Sequence, residues 1–288
     1  MANKFHVRSN SFPSGSHPNT SKVEEELNKL KTWETTSTST LNSIGTGLSL
    51  LSDLHICLED ILNMTSTQKL ISNHQGEKCI QELLEGSVRI LDICDITRDN
   101  MLQIKENVQA LHSALRRRKG DSSIERIVAE YNFFSKKMKK NAKKLMTCLK
   151  QMESKFGVSP VLDKDQQLVS LVRVLREVIA MNMSIFRSLL AFLTVPAPKS
   201  KPTKWLSKLM QKGVITCEEN TENSNELQCV EASLSSLLSE GSNVGKMEAA
   251  TERLEALENG IENIENGLES VFRRMVKTRA CLLNIMTQ

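Results

Sequence analysis

Between Met247 and Ile285 a seam of residues recurs at alternating steps of three and four without a slip. It reads Met247, Ala250, Leu254, Leu257, Ile261, Ile264, Leu268, Val271, Met275, Thr278, Leu282 and Ile285. That is a heptad with both core positions filled, so one helix lays a continuous stripe against other helices. At 1.5 Å rise per residue, about forty residues of helix extend ~60 Å. A stripe of that length needs partners of similar length, and the seam therefore predicts an elongated bundle.

The rest of the chain agrees with that frame. Aromatic residues make up only 4% of the 288, so the core has to be built from Leu, Ile, Val and Met. Gly and Pro are few, and stretches that alternate apolar and polar residues are rare, which favours helices over strands. Helix one is expected from Lys22 to about Met64, with a break or bend between Trp33 and Ser39, where β-branched residues lose χ1 freedom in a helix. Asn73, His74 and Gly76 mark a loop. Helix two is expected from Lys78 to Arg117, with Asp92, Asp95, Asp99 and Glu106 on its outer face. Helix three is expected from Ser123 to Phe156. Ser122 stands three residues before Glu125 as a capping box, Gly157 serves as the cap, and Pro160 blocks continuation. Helix four starts near Asp163 and ends before Pro196. It is apolar on most faces, so it belongs at the centre of the bundle. A proline linker (194–203), a short helix around Trp205, an acidic loop (214–228) and a short helix from Val230 to Leu238 lead into the final helix. Residues 22–288 are read as a single domain.

Residues 1–21 have no acidic side chain and are rich in serine. They read as a disordered tail that cannot bury enough surface to fold, or as a plastid or mitochondrial transit peptide. No apolar segment suits a secretory signal. The run Val178–Val195 is interrupted by Asn182 and Arg187, so a buried helix is the better reading than a membrane span. Seven scattered cysteines show no C-x-x-C pair, which supports neither zinc nor redox chemistry and favours a reducing compartment. The expected location is cytoplasmic, with a plastid or the periphery of a membrane as alternatives.

Charge is distributed unevenly, although the net value is only +4. Arg116, Arg117 and Arg118 precede a dense cluster of Lys136, Lys137, Lys139, Lys140, Lys143 and Lys144 on the outward arc of helix three. This arc reads as a solvated basic face or as a docking face for an anionic partner, either an acidic protein or lipid headgroups. Nucleic acid is disfavoured, because Tyr131 and Phe134 fall on the apolar stripe and not among the lysines. His55 and Glu59 stand at i and i+4 but supply too few ligands for a metal, and read as a surface pair. Glu255, Glu258, Glu262, Glu265 and Glu269 read as the wet face of the last helix. No G-x-S-x-G motif, triad or complete glycine-rich loop is present. No catalytic residue, cofactor or metal site is expected.

Several segments resemble the plant BYPASS-like family. They are the run from Phe5 to Ser14 (FHVRSNSFPS), that from Leu111 to Gly120 (LHSALRRRKG), Val174–Val178 with Ser188–Leu193, Trp205 after the proline linker, and Val271–Arg279 continued through Leu282–Ile285. They span nearly the whole chain in the family's order. The resemblance implies an all-helical plant protein with a role in root and shoot development, and implies no enzymatic activity or cofactor. The expectation is an all-α, elongated antiparallel bundle with coiled-coil-like heptad packing. Its expected work is binding to protein partners without catalysis, and its heptads fit self-association as well as intramolecular packing.

Overall fold

The computed structural model describes residues 18–117, 121–156, 165–194, 224–239 and 244–287. Within them run eight helices and no strand: α1 (Pro18–Thr36), α2 (Leu41–Leu62), α3 (Thr65–Asn73), α4 (Lys78–Arg116), α5 (Asp121–Phe156), α6 (Gln166–Thr194), α7 (Glu226–Ser239) and α8 (Val244–Met286). The fold is all-α. Arg118, Gly157, Pro160 and the linker with Trp205 lie outside the described residues.

The stretch expected to be one helix from Lys22 to Met64 is a hairpin, α1 turning into α2. The polar run between them makes its own turn. Thr40 caps α2 by accepting from the Ser43 amide, and the Thr38 amide donates to Ser43 Oγ at 3.1 Å. Trp33 then locks the hairpin, its indole N–H donating to the Ser43 carbonyl at 2.8 Å. The indole lies so close to Gly47 that a Cβ there would sit 2.6 Å from the ring, which only glycine permits. Two segment boundaries also move. Helix α1 begins at Pro18, inside the stretch assigned to the tail, and α7 begins at Glu226, inside the stretch assigned to the acidic loop. The reason in α7 is a reciprocal cap: the Asn225 amide donates to Gln228 Oε1 and the Gln228 amide to Asn225 Oδ1, both at 2.9 Å. The segment after α2, Thr65–Asn73, forms a short helix of its own.

Helix α8 is the spine. Its seam from Ala250 to Ile285 is buried throughout, and it packs mainly against α2 and α4. Contacts with α4 run in opposite directions, from Arg279 at Ser87 to Glu258 at His112, so these two helices are antiparallel. Contacts with α2 climb together: Gly260 meets Leu41, Gly267 meets Leu48, Ser270 meets Ser52 and Thr278 meets His55. Helices α2 and α8 are therefore parallel neighbours. Gly260 and Gly267, one heptad apart, let the leucines approach; a Cβ at Gly267 would lie 3.1 Å from Leu48.

Helix α6 is buried on most of its faces and packs on α1, α2, α4 and α5, with Phe186 and Phe192 fully enclosed. Helix α7 lies against α8. Glu258, Glu265 and Glu269, expected on the wet face of α8, instead tie it to α4. Glu265 pairs with Lys105 at 2.7 Å, Glu258 takes Gln109 and His112, and Glu269 pairs with Arg98, whose guanidinium lies 4.6 Å above the Phe272 ring. They flank the seam, where long side chains reach across to the neighbouring helix.

Candidate functional site

Two groups of polar residues stand out, and they differ in what surrounds them. The first is the outer face of α5. One arc of this helix, Val128, Tyr131, Ser135, Met138, Ala142, Leu145 and Leu149, is buried. The opposite arc carries Phe133, Lys136, Lys137, Lys140, Lys143 and Lys144, all exposed. A groove on this surface is lined by Lys136, Lys139, Lys140, Lys143, Lys144 and Thr147. Like charges at i and i+4 oppose one another by about 0.2–0.5 kcal/mol per pair, so the helix tolerates this cluster and gains nothing from it. Among the described residues none of Lys136, Lys137, Lys140, Lys143 or Lys144 has an opposite charge within 4 Å. Phe133, at the head of the stripe, is 75% exposed.

Not every residue of the sequence-derived cluster belongs to this face. Lys139 turns to the side and holds both carboxylate oxygens of Glu231 at 2.7 Å, while Ser135 Oγ donates to the same carboxylate. These three groups fasten α7 to α5. Arg116 and Arg117 stand at the end of α4, and Arg117 Nε donates to the Ser113 carbonyl in its own last turn. Fifteen residues of α5, about 22 Å, separate Asp121 from Lys136. Arg118 lies outside the described residues.

The second group is a buried polar knot among α2, α6 and α8. His55 Nε2 lies 3.3 Å from Asn182 Oδ1, and His55 Nδ1 lies 3.3 Å from Thr278 Oγ1. The Asn182 amide group donates to the Val178 carbonyl at 2.7 Å, which leaves its oxygen facing the ring. A neutral imidazole with its proton on Nε2 satisfies both contacts, taking the threonine hydroxyl on Nδ1. Burial pushes His55 down to about 4, so the ring is neutral at physiological pH. One turn on, Glu59 Oε2 accepts from Lys277 at 2.7 Å and from Arg274 at 3.4 Å. His55 and Glu59 are both 4% exposed. The reading of them as a surface pair is thus corrected: each reaches to α8, and they do not bond to one another. The signals for this knot were Thr278 within the seam of α8 and Asn182 within the otherwise apolar α6.

Beside the knot is a cavity of about 50 Å³, walled by Leu58, Leu83, Ile90, Leu175, Val178 and Met275. It has room for a few water molecules and its polar edge is His55, Asn182 and Thr278. Neither group assembles a nucleophile with a base. Among the described residues no three His, Cys, Asp or Glu side chains converge as a metal would require, and no helix is long and apolar enough to cross a membrane.

The structure thus defines a long helical bundle with a lysine-rich outer face. The family model described as Protein BPS1 matches residues 47–285, from the first turns of α2 to the end of α8. The chain belongs to the BYPASS family, a plant family of unknown biochemical function. No curated protein and no solved structure compared with the chain matches it.

Proposed function

We propose that the protein works without catalysis, as an interaction protein in the root and shoot development with which its family is associated, and that it binds an acidic protein partner through the outer face of α5. One observation carries the reading: five exposed lysines on two and a half turns of helix serve no contact in the described fold. Proximity labelling in root tissue tests it, with the wild type beside a Lys136→Gln, Lys140→Gln, Lys143→Gln variant. The expected result is loss of acidic proteins from the labelled set; an unchanged set overturns the reading. The cytoplasm is the proposed compartment, in keeping with six free cysteines among the described residues.

A second reading, an anionic membrane surface, is favoured by Phe133, an exposed ring beside ammonium groups, as interfacial helices use. Each lysine near such a surface contributes about 1 kcal/mol. The triple variant should therefore bind phosphatidylserine vesicles roughly a hundredfold more weakly. Absence of wild-type binding at low salt removes this reading.

A further inference from the structure

The cavity beside the knot has its entrance at a charged residue. Of the side chains that line it, only Ser87 of α4 and Arg279 of α8 are half-buried, and the others are buried. The way in from water therefore lies at the edge where α4 and α8 meet. Arg279 Nη1 bridges that edge, donating to the Leu84 carbonyl at 2.8 Å and to Ser87 Oγ at 2.7 Å. The bridge uses one nitrogen of the guanidinium. Nε and Nη2 form the side of the fork that grips a carboxylate through two parallel bonds, and they have no hydrogen-bond partner among the described residues.

Arg279 also lacks a counter-charge. The other cations in the same stretch of α8 each have one: Arg273 has Glu269, and Arg274 and Lys277 share Glu59. Across the edge, the nearby carboxylates of α4 are taken, Glu82 by Arg176 and Lys78, and Glu85 by Arg89. No carboxylate lies within 4 Å of Arg279 among the described residues. Drawing a guanidinium partly out of water without an opposite charge is unfavourable, and an anion from solution would relieve it.

The interior behind Arg279 is apolar. Its wall is aliphatic, with Leu83, Val178 and Leu282 among its side chains, and the polar atoms of His55, Asn182 and Thr278 are turned to one another. The volume is about 50 Å³, a third of the ~150 Å³ that takes benzene, so a chain of about two or three carbons fits. We infer that this is a binding site for a short-chain carboxylate, with the carboxylate on the free side of the Arg279 fork and the alkyl chain in the cavity. The guanidinium selects the charge and the cavity limits the chain. No residue of α5 lines the site, so it is independent of the role proposed for the lysine face.

Butyrate is the probe. Titration of the full chain, followed by the ¹³C resonance of carboxyl-labelled butyrate, is expected to saturate with a dissociation constant of about 1 mM, as suits so small a ligand. Butylammonium, of the same length and opposite charge, should not bind. Butanol, which lacks the charge, and benzoate, whose ring exceeds the cavity, should each bind about tenfold more weakly than butyrate. Arg279→Gln should abolish butyrate binding, and so should Val178→Phe, which fills the cavity. The Lys136→Gln, Lys140→Gln, Lys143→Gln variant should bind as the wild type does. A wild type that shows no saturation by about 50 mM overturns the inference. So does butyrate binding that survives Arg279→Gln in a variant with wild-type helical circular dichroism, or that is lost only with the lysines. Should Arg279→Gln not fold, the four probes on the wild type decide: butyrate ahead of the other three supports the site, and any other order overturns it.

Discussion

The α2/α8 contact and the outer face of α5 both belong to helices with a three–four apolar seam, yet they use charge in opposite ways. Along α2 and α8 the buried polar side chains of α2 find partners on neighbouring helices: His55 meets Asn182 and Thr278, and Glu59 Oε2 meets Lys277 and Arg274. In the lysine run of α5 Lys139 alone is matched among the described residues, and five of its neighbours point outward. The first arrangement depends on the fold and the fold on it. The second is carried by a helix whose stability comes from its other side. Polar residues of one chain can therefore be sorted by what they touch, and the two sets should respond differently to substitution.

The sharpest contrast is expected at Ile264, fully buried in the α8 seam. Ile264→Ala should cost about 2–5 kcal/mol in urea unfolding, whereas the exposed neighbour substitution Glu262→Ala should stay within about 0.5 kcal/mol. Equal small effects would mean that α8 is not integral to the bundle. Next is the acid sensitivity of the knot. His55 is held neutral in the fold down to about pH 4, while an unfolded histidine takes its proton near 6.5. Stability is then complete above pH 6.5 and declines as pH falls, levelling off near pH 4, for a loss of about 3 kcal/mol. Glu269, held below the usual carboxylate range by Arg273 and Arg98, and Glu258, where burial pushes upward but hydrogen bonds from Gln109 and His112 outweigh it, weaken the fold only at lower pH, as they take up protons. A His55→Gln variant should remove the decline between pH 6.5 and 4.5; an unchanged slope would show that the ring is not enclosed.

A smaller effect is expected where the two kinds of charge meet. Glu231→Gln should cost about 1–3 kcal/mol and raise amide exchange in α7 before the rest of the bundle. Uniform exchange would mean that Lys139 and Ser135 do not fasten α7. Smallest of all, the Lys136→Gln, Lys140→Gln, Lys143→Gln variant should melt within about 0.5 kcal/mol of the wild type. A clear loss would break the comparison, since those lysines would then be part of the fold.

Much of this was legible in the residues because it is local. The α8 seam, the acidic outer face of α4 and the apolar girth of α6 follow from periodicity within one helix, whereas α5 starts at Asp121, so Ser122 lies inside the helix and is not its cap. What was not legible depends on which helix comes alongside. Whether His55 faces water or Asn182 is decided by α6, more than a hundred residues on. Glu258, Glu265 and Glu269 are equally polar on the wet side or across from Lys105 and Arg98. Lys139 belongs with its neighbours until Glu231 of α7 claims it. The break between α1 and α2 was visible as a weak run of threonines and serines, but the clasp of Trp33 over Gly47 that makes it a full reversal was not.

The parallel pairing of α2 with α8 has a consequence during synthesis. About 180 residues separate Leu62 from Val244, and a ribosome adding 5–20 residues per second takes about 10–40 s to cross that distance. Through that interval the leucine face of α2 that receives Gly260 and Gly267 has no spine to cover it, and α1 shields only another side. The nascent chain, and not the finished protein, is the form most exposed to aggregation. The N-terminal hairpin is where a ribosome-associated chaperone would be needed first.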